Sequence, residues 1–296
     1  TLRQNRAMKA LKIADGESFK MPATIDDPAI LDEARKRFGQ NFLHDAGVID
    51  RIIRSIRPRE SDHLVEIGPG QGAITSGLLA SGAQLDVVEL DKDLHPILMG
   101  QFGFLDRFRL HKGDALKFDF RQLVAGDEKL RVVGNLPYNI STPLMLHLLE
   151  QSDCIEDMHF MLQKEVVLRL AATAGMNHYG RLGIMVQYFC EVEHLFNVPS
   201  AAFTPKPKVS SAIVRLTPHP MREVEARSVE ALQTVVRTAF NLRRKTLKNS
   251  LKAIMSTDTL AQIPVSLSER PENLSLSDYV AISDLFAQEL NQSHHD

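Results

Sequence analysis

Hydrophobic and polar residues follow two alternating periods along most of this chain. Short apolar runs typical of buried strands occupy positions 63–67, 84–90, 108–111, 131–133 and 157–162. Between them, apolar residues recur at helical spacing, as in 45–57 and 73–79. Strands that alternate with helices predict an α/β fold with a parallel, doubly wound sheet. Two later strands are predicted at 192–198 and 212–216.

The pattern changes at the run Thr217-Pro218-His219-Pro220. Two prolines cannot continue a strand ladder or a helix interior, so we place a boundary here. Beyond it, helices are predicted over 228–240, 243–255 and 276–290. The chain is thus expected to have three parts, which are a poorly ordered leader over 1–31, an α/β domain over 32–219, and a small all-helical domain over 220–296.

Composition narrows the classes of function. The 296 residues carry a net charge of only -2, so any nucleic-acid site must be a local basic patch. Cys154 and Cys190 form no CxxC pair, which argues against a zinc site or a disulfide framework. No apolar run approaches the roughly 20 residues of a membrane span. We expect a cytoplasmic protein with no metal and no membrane anchor, and nothing in the sequence demands more than a monomer.

A glycine-rich turn follows the first strand. Gly68, Gly70 and Ala73 satisfy the dinucleotide fingerprint, and Glu89 ends the next strand, where it can accept from ribose hydroxyls. Glu66 lies two residues before the first glycine and would repel a pyrophosphate, whereas it would attract an ammonium group. S-adenosylmethionine has an ammonium, a sulfonium and no phosphate. We therefore predict S-adenosylmethionine as cofactor; the alternative is a tight turn without a ligand.

Asp114 follows the third strand, at the carboxyl edge where open α/β sheets bind their ligands. Its carboxylate could accept a hydrogen bond from the adenine amine of the cofactor. It could equally cap the next helical segment. Considered by itself, this residue leaves both interpretations open.

The loop after the fourth strand predicts the reaction. The amine of adenine is a poor nucleophile because its lone pair is delocalised, and accepting hydrogen bonds from both N–H groups improves it. The side-chain oxygen of Asn135 and the backbone carbonyl of Leu136 can accept them, while Pro137 fixes the direction of the loop. Tyr138 offers a flat face on which an extruded base can stack. Methyl transfer to an adenine amine is the predicted chemistry; the alternative is an ordinary turn with a core tyrosine.

Two further segments could contact the substrate. Phe203 lies in a proline-rich loop and could close the other face of the base, or it could be a core residue. Lys206 and Lys208 in the same loop could bind phosphate. A basic segment downstream adds candidate RNA contacts at Arg243, Arg244, Lys245 and Lys248, although a charged helix face is usually only solvated.

Assembled, these residues resemble the ribosomal RNA adenine dimethyltransferase family, most closely its bacterial small-subunit branch. The resemblance rests on segments 38–43, 66–72, 89–91, 113–114, 135–138, 203–209, 240–251 and 270–274. It implies a Rossmann-like class I methyltransferase sheet and cofactor contacts from Asn41, Leu43, Gly68, Glu89, Asp114 and Asn135. It also implies transfer of two methyls to N6 of each of two adjacent adenosines in a 3′-terminal hairpin loop of small-subunit rRNA, within an immature 30S-type particle.

Other functions remain open on the sequence alone. An enzyme of the same fold could act on large-subunit rRNA, as macrolide-resistance methyltransferases do. A non-catalytic nucleic-acid-binding factor derived from the family is a second alternative, and a DNA adenine methylase a third. A nicotinamide oxidoreductase ranks last, because Glu66 and the segment 135–138 do not suit it.

Overall fold

The computed structural model describes residues 11–12, 18–19, 41–137, 139–241 and 245–292. Within the expected leader, Leu11–Lys12 pairs antiparallel with Ser18–Phe19, and the rest of 1–31 lies outside the described residues. Tyr138, Arg243 and Arg244 also lie outside them.

A seven-stranded sheet forms the centre of the α/β part. Its strands are β1 His63–Ile67, β2 Gln84–Glu89, β3 Phe108–Lys112, β4 Leu130–Asn135, β5 Ile155–Gln163, β6 Cys190–Val198 and β7 Ser211–Pro218. The spatial order is β3-β2-β1-β4-β5-β7-β6. Strands β1 to β5 pair in parallel, and β7 pairs antiparallel with β5. The predicted α/β fold with a doubly wound, Rossmann-like sheet is confirmed.

Helices connect the strands and form the C-terminal part. They are α1 Ala46–Ile56, α2 Thr75–Leu79, α3 His95–Phe102, α4 Ser141–Leu149, α5 Lys164–Ala171, α6 Arg181–Phe189, α7 Val229–Asn241, α8 Leu247–Leu251, α9 Thr257–Ala261 and α10 Leu276–Gln292. The helices predicted near 45–57, 73–79, 228–240 and 276–290 are present. The predicted helix over 243–255 is shorter, because within the described part of that span only α8 is helical.

Two compact units divide the chain. The first runs up to Lys164 and resumes at His194–Thr217, and the second contains Glu165–Glu193 and everything from Pro218 onward. The sequence pattern predicts residues 165–193 in the α/β domain. They belong instead to the second unit, because Tyr179, Ile184 and their neighbours share its hydrophobic core with α7 and α10.

Burial explains why the first unit folds around its sheet. All five residues of β1 are buried, and so is β2 apart from its first residue. Such runs suit a parallel sheet that helices cover on both faces. Helix α1 begins at the expected place because the Asp45 side chain accepts from the Val48 backbone N–H at 3.0 Å. Its buried Ile52 and Ile56 pack into the core beside β1.

Buried charges near the amino ends of the strands are paired with one another. The Arg131 guanidinium donates to Asp62 at 2.6 Å and to Asp157 at 2.8 Å, and also to the carbonyl of Ile56. Burial opposes the charge of Arg131, but the bonds to Asp157 and Asp62 raise its pKa. The paired carboxylates therefore offset most of the cost of burying this cation.

A second set of paired groups surrounds Asp86, which is fully buried. Its two carboxylate oxygens lie 2.6 Å from Nε2 of His63 and 2.5 Å from Nε2 of His111. Nδ1 of His63 lies 3.0 Å from a carboxylate oxygen of Glu128. Burial would raise the pKa of Asp86, but the hydrogen bonds from the two histidines outweigh it and hold that pKa low. We call the residues of both sets, Asp62, His63, Asp86, His111, Glu128, Arg131 and Asp157, the amino-end network. All except His111, the next-to-last residue of β3, lie in the first half of a strand or just before one.

Candidate active site

A cavity of about 590 Å³ lies in the first unit, at the carboxyl ends of β1, β2, β3 and β4. This volume is within the range of small-molecule sites. The cavity is lined by the glycine turn, the ends of the strands and two loops, which contribute Asn41, Leu43, Glu66, Gly68, Gly70, Glu89, Asp114, Asn135, Leu136, Pro137 and Phe203. The structure thus brings together every described residue that the sequence predicts at the cofactor or in catalysis.

The glycine turn needs its glycines for backbone conformation and for space. Gly68, Gly70 and Gly72 have φ values of +63°, +60° and +82°, a region that L side chains rarely adopt. A Cβ at Gly72 would lie 2.7 Å from the ring of Phe102, which is too close for a residue larger than glycine at position 72. At Gly70 it would lie 3.3 Å from the ring of Phe42, which lines the same cavity. The turn therefore keeps the cavity open beside β1.

Glu66 lies beside the cavity in an environment with little water. Its side chain is 2% exposed, and one carboxylate oxygen accepts from the Thr75 hydroxyl at 2.5 Å. Burial raises the pKa of Glu66 to about 7; the Thr75 hydroxyl opposes this and the nearby charge of Glu89 adds to it. A cation that entered the cavity would favour the ionised form.

Glu89 ends β2 and is also buried. Its carboxylate accepts from the backbone N–H of Asp91 at 2.8 Å. Burial raises the pKa of Glu89 to about 7, against hydrogen bonds from the backbone N–H groups of Asp91, Gly70 and Leu90, and the charge of Asp91 adds to the shift. Glu66 and Glu89 are thus two buried carboxylates that act on each other and border one cavity, where they suit a ligand that carries an ammonium group and hydroxyl donors.

The surroundings of Asp114 are compatible with both interpretations that the sequence left open, a helix cap and a ligand contact. Its carboxylate accepts from the Leu116 backbone N–H at 3.0 Å and so caps the short turn Ala115–Lys117. It also lines the cavity, beside Gly113 and Ala115. A carboxylate has lone pairs for more than one donor, so capping leaves Asp114 able to accept from a ligand.

Asn135 ends β4 at the edge of the cavity. Its amide nitrogen donates to the backbone carbonyl of Asn41 at 3.4 Å, and this bond orients the amide so that its oxygen can serve as an acceptor. Leu136 is buried, and its backbone N–H donates to the carbonyl of Met161 at 3.2 Å. The loop is therefore anchored to β5. The carbonyl of Pro137 accepts from the backbone N–H groups of Ile140 and Ser141, both at 3.1 Å, which ties the loop to the start of α4.

A short antiparallel ribbon joins two segments far apart in the chain. Phe42–Leu43 pairs with Phe203–Thr204, and the backbone N–H of His44 donates to the carbonyl of Ala202 at 3.0 Å. Phe203 is 4% exposed and lines the cavity, so it is both a core residue and a wall of the site. Periodicity could not predict this pairing, since the strands have two residues each.

The described lysines among the RNA-binding candidates are exposed. Lys206 and Lys208 follow the ribbon in the first unit, and Lys245 and Lys248 lie at the start of α8 in the second. A lysine must be exposed to contact a phosphate, but a lysine that contacts only solvent is exposed as well. Exposure therefore does not distinguish the two interpretations. No cluster of three His, Cys, Asp or Glu side chains suited to a metal ion occurs in the described residues. In the same residues, no helix is long and apolar enough to cross a bilayer.

Sequence reasoning missed Thr75, whose hydroxyl bonds to Glu66. It also missed the amino-end network, whose members lie in separate strands and loops and meet only through the register of the sheet.

Comparison with known proteins gives consistent matches. The model of the family described as ribosomal RNA adenine dimethylase matches residues 31–288. Ribosomal RNA small subunit methyltransferase A of Pseudomonas aeruginosa is 63% identical over 255 residues, which are 86% of this chain and 95% of that protein. The protein of the same name from Marinobacter nauticus is 60% identical over 86% of this chain and 92% of its own length.

Solved structures agree in fold. A dimethyladenosine transferase from Plasmodium falciparum has a TM-score of 0.68 at 25% identity, covering 86% of this chain and 98% of that one. The 23S rRNA methyltransferase ErmE has a TM-score of 0.64 at 24% identity, covering 84% and 100%, and shows the fold alone. With the family model matching most of its length and relatives at 60–63% identity, this chain belongs to the ribosomal RNA adenine dimethylase family.

Proposed function

We propose that this protein dimethylates N6 of two adjacent adenosines in a 3′-terminal hairpin loop of small-subunit rRNA. The relatives at 60–63% identity are named as small-subunit methyltransferases, and they match nearly their whole length. The observation that carries the proposal is the placement of Asn135, whose amide lies at the carboxyl end of β4, oriented by Asn41, beside a cavity lined by two buried carboxylates. The protein is an S-adenosylmethionine-dependent enzyme.

The residues present fit this cofactor. The carboxylates of Glu66, Glu89, Asp91 and Asp114 line the cavity, and no Arg or Lys occurs among its described lining residues, so a cationic ligand would meet several acceptors and no competing cation there. The positive-φ glycines leave room along β1. In the proposal, Glu66 accepts from the ammonium group, Glu89 from the ribose hydroxyls and Asp114 from the adenine amine, while Asn41 and Leu43 cover the ligand. When bound, the cofactor supplies an electrophilic methyl group on a sulfonium.

The chain's own part in the chemistry is to bind and orient the target amine. The Asn135 oxygen and the Leu136 carbonyl accept hydrogen bonds from the two N–H groups of the amine. These bonds favour a pyramidal nitrogen, whose lone pair is less delocalised into the ring and is therefore more nucleophilic. Pro137 fixes the path of the loop, and Phe203 closes one face of the base; Tyr138, outside the described residues, is proposed to stack on it. Positioning of this kind can supply a large part of the rate.

The RNA is proposed to contact a set of lysines and arginines. These are Lys206 and Lys208, together with Arg243, Arg244, Lys245 and Lys248 of the region 220–296, which we propose as the RNA-substrate domain. Replacing Lys245 and Lys248 by Ala should weaken RNA binding and reduce its salt slope by about 0.7 to 0.9 for each phosphate that no longer meets a lysine. An unchanged slope would mean that this face is only solvated.

A finer description of the partner belongs to the same proposal. In this proposal the enzyme is a monomer that acts in the cytoplasm on an immature small subunit. A large-subunit substrate is not favoured, because the relative of that class is similar in fold alone, whereas the small-subunit relatives are 60–63% identical. A non-catalytic role is not favoured either.

One experiment tests substrate and reaction together. Purified protein is incubated with labelled S-adenosylmethionine and small subunits that lack adenine dimethylation, with large subunits and DNA as controls. Digested RNA is then analysed by mass spectrometry. The expected product is N6,N6-dimethyladenosine in small-subunit RNA alone. Label confined to large subunits, or cofactor binding without transfer to any substrate, would contradict the proposal.

A further inference from the structure

Thr75 is a buried hydroxyl residue beside the cavity to which the proposed function gives no task. It is the first residue of α2, its side chain is 0% exposed, and it donates to Glu66 at 2.5 Å. A bond of this length is typical of a hydroxyl that donates to an ionised carboxylate. The glycine turn links the two residues and brings the start of α2 against the end of β1.

The surroundings of Glu66 otherwise work against its negative charge. It is buried, and the carboxylate of Glu89 acts on it from β2, while Asp91 acts on Glu89 in turn. The Thr75 hydroxyl is the group that favours the ionised form. It also restrains the rotation of the carboxylate, because one oxygen is held by a side chain whose own position is fixed by burial in the core.

We propose that Thr75 is a positioning residue for the methyl donor: its hydroxyl holds one oxygen of Glu66, so that the other oxygen accepts hydrogen bonds from the ammonium group of the methionine moiety. The inference rests on the proposed function, since that function names the ligand. It separates two parts of cofactor recognition. The amino-acid end depends on Thr75 acting through Glu66, and the nucleoside end depends on Glu89 and Asp114.

Two ligands and two variants test this separation. S-adenosylhomocysteine carries the amino-acid group, whereas 5′-methylthioadenosine shares the nucleoside and the thioether but lacks that group. Thr75→Val removes the hydroxyl and keeps a branched side chain, and Thr75→Ser keeps the hydroxyl. Binding is measured by calorimetry on the full chain between pH 6 and 8, without RNA, and thermal denaturation reports whether each variant is folded.

Thr75→Val is expected to weaken S-adenosylhomocysteine binding by about tenfold or more, the effect of losing a hydrogen bond to a charged group. Binding of 5′-methylthioadenosine should stay within roughly twofold of the wild type, since that ligand makes no use of Glu66. The pH below which S-adenosylhomocysteine binding declines should move upward in this variant. Thr75→Ser should restore affinity and pH profile toward those of the wild type.

Other outcomes would overturn the inference. Equal losses for both ligands would assign Thr75 a general packing role, and unchanged binding of both would leave the hydroxyl without a role. If Thr75→Val does not fold, Thr75→Ala is read in the same way. Because RNA is absent, a failure here is distinct from a failure of the proposed function, which would appear as missing transfer despite normal binding.

Discussion

The two ends of the central sheet differ in the partners of their buried charged groups. At the amino ends, Arg131 is held by Asp62 and Asp157, and Asp86 lies between two histidines. At the carboxyl ends, Glu66 and Glu89 are buried beside each other, and their bonds come from a hydroxyl and backbone N–H groups rather than from cations.

This difference separates stability from function. Paired charges hold strands and loops together, and removing one partner leaves the other buried and uncompensated. Two carboxylates that repel each other destabilise the free protein, and the arrangement becomes favourable when a cationic ligand enters. We therefore expect substitutions at the amino ends to lower stability, and those at the carboxyl ends to lower binding and turnover without lowering stability.

The largest effect is expected for Arg131→Met, which leaves Asp62 and Asp157 without their cation. Unfolding free energy should fall by about 3–5 kcal/mol, measured by urea denaturation. The matched control is Arg54→Ala, since Arg54 and its partner Asp50 are 71% and 63% exposed, and its cost should stay below about 1 kcal/mol. Similar losses in both variants would remove the contrast between buried and exposed pairs.

Asn135→Ala should lower activity and leave stability nearly unchanged, the opposite of the result expected for Arg131→Met. Transfer is expected to fall by about 10²–10³-fold, as when a single charge-stabilising donor or acceptor is removed from an active site. Single-turnover methylation of small subunits measures this, and denaturation should show a fold of nearly unchanged stability. Near-normal transfer would assign Asn135 a scaffold role and remove the main support for the proposed chemistry.

Glu66→Gln should raise stability and lower affinity at once. With the pKa of Glu66 at about 7 in the folded protein, ionising this carboxyl at pH 8 costs stability. The neutral amide should therefore stabilise the free protein by about 1–3 kcal/mol, measured by denaturation at pH 8. Calorimetry should show weaker S-adenosylhomocysteine binding in the same variant. A variant that is less stable and binds normally would contradict the comparison.

The smallest expected effect is a gradual change of stability and of cofactor affinity with pH. The pKa of both Glu66 and Glu89 is raised to about 7, so the free protein takes up protons on folding and loses stability as pH rises from about 4.5 through 7. Cofactor binding, which favours the ionised carboxylates, should weaken as pH falls below 7, by up to about tenfold per pH unit for each proton released. Calorimetry in buffers of different ionisation enthalpy would count these protons.

Asp86 in the amino-end network has the opposite sign. Its pKa is lowered, so its contribution to stability is present above its unfolded-state pKa and is lost only as pH falls through its folded-state pKa. Between pH 6 and 8 the contribution of this carboxylate should stay constant. His63 titrates in that range: burial opposes its charge, but its bonds to Asp86 and Glu128 raise its pKa, so its contribution is lost as pH rises through the folded-state pKa. A thermal-shift series with and without S-adenosylhomocysteine would contradict the scheme if the ligand stabilised the protein equally at pH 6 and pH 8.

Much of the fold was predictable because its signals are local. The predicted runs 63–67 and 84–90 contain the buried strands β1 and β2, and the positive-φ glycines between β1 and α2 mark the turn in the sequence itself. What could not be predicted depends on contacts between distant segments. The insertion of β7 between β5 and β6 is one example, and the membership of 165–193 in the second unit is another.

The candidate site divides in the same way. Glu66, Glu89 and Asn135 follow strands, so their arrival at one edge of a parallel sheet follows from topology. Asn41 was placed near the cofactor only through the family resemblance, since its approach to Asn135 depends on a two-residue ribbon that has no periodic signal. The roles assigned to these residues stay predictions, as do those of Tyr138, Arg243 and Arg244, which lie outside the described residues.

The ribbon between Phe42–Leu43 and Phe203–Thr204 has a consequence for the sequence of catalytic events. Each adenosine receives two methyl groups, so a spent donor must leave and a fresh one enter between the two transfers. Phe42–Leu43, which the proposal places against the donor, is hydrogen-bonded to the loop that carries Phe203. A shift of one strand of the ribbon during donor exchange would therefore be transmitted to the other, so the walls proposed for the donor and for the base are expected to respond together.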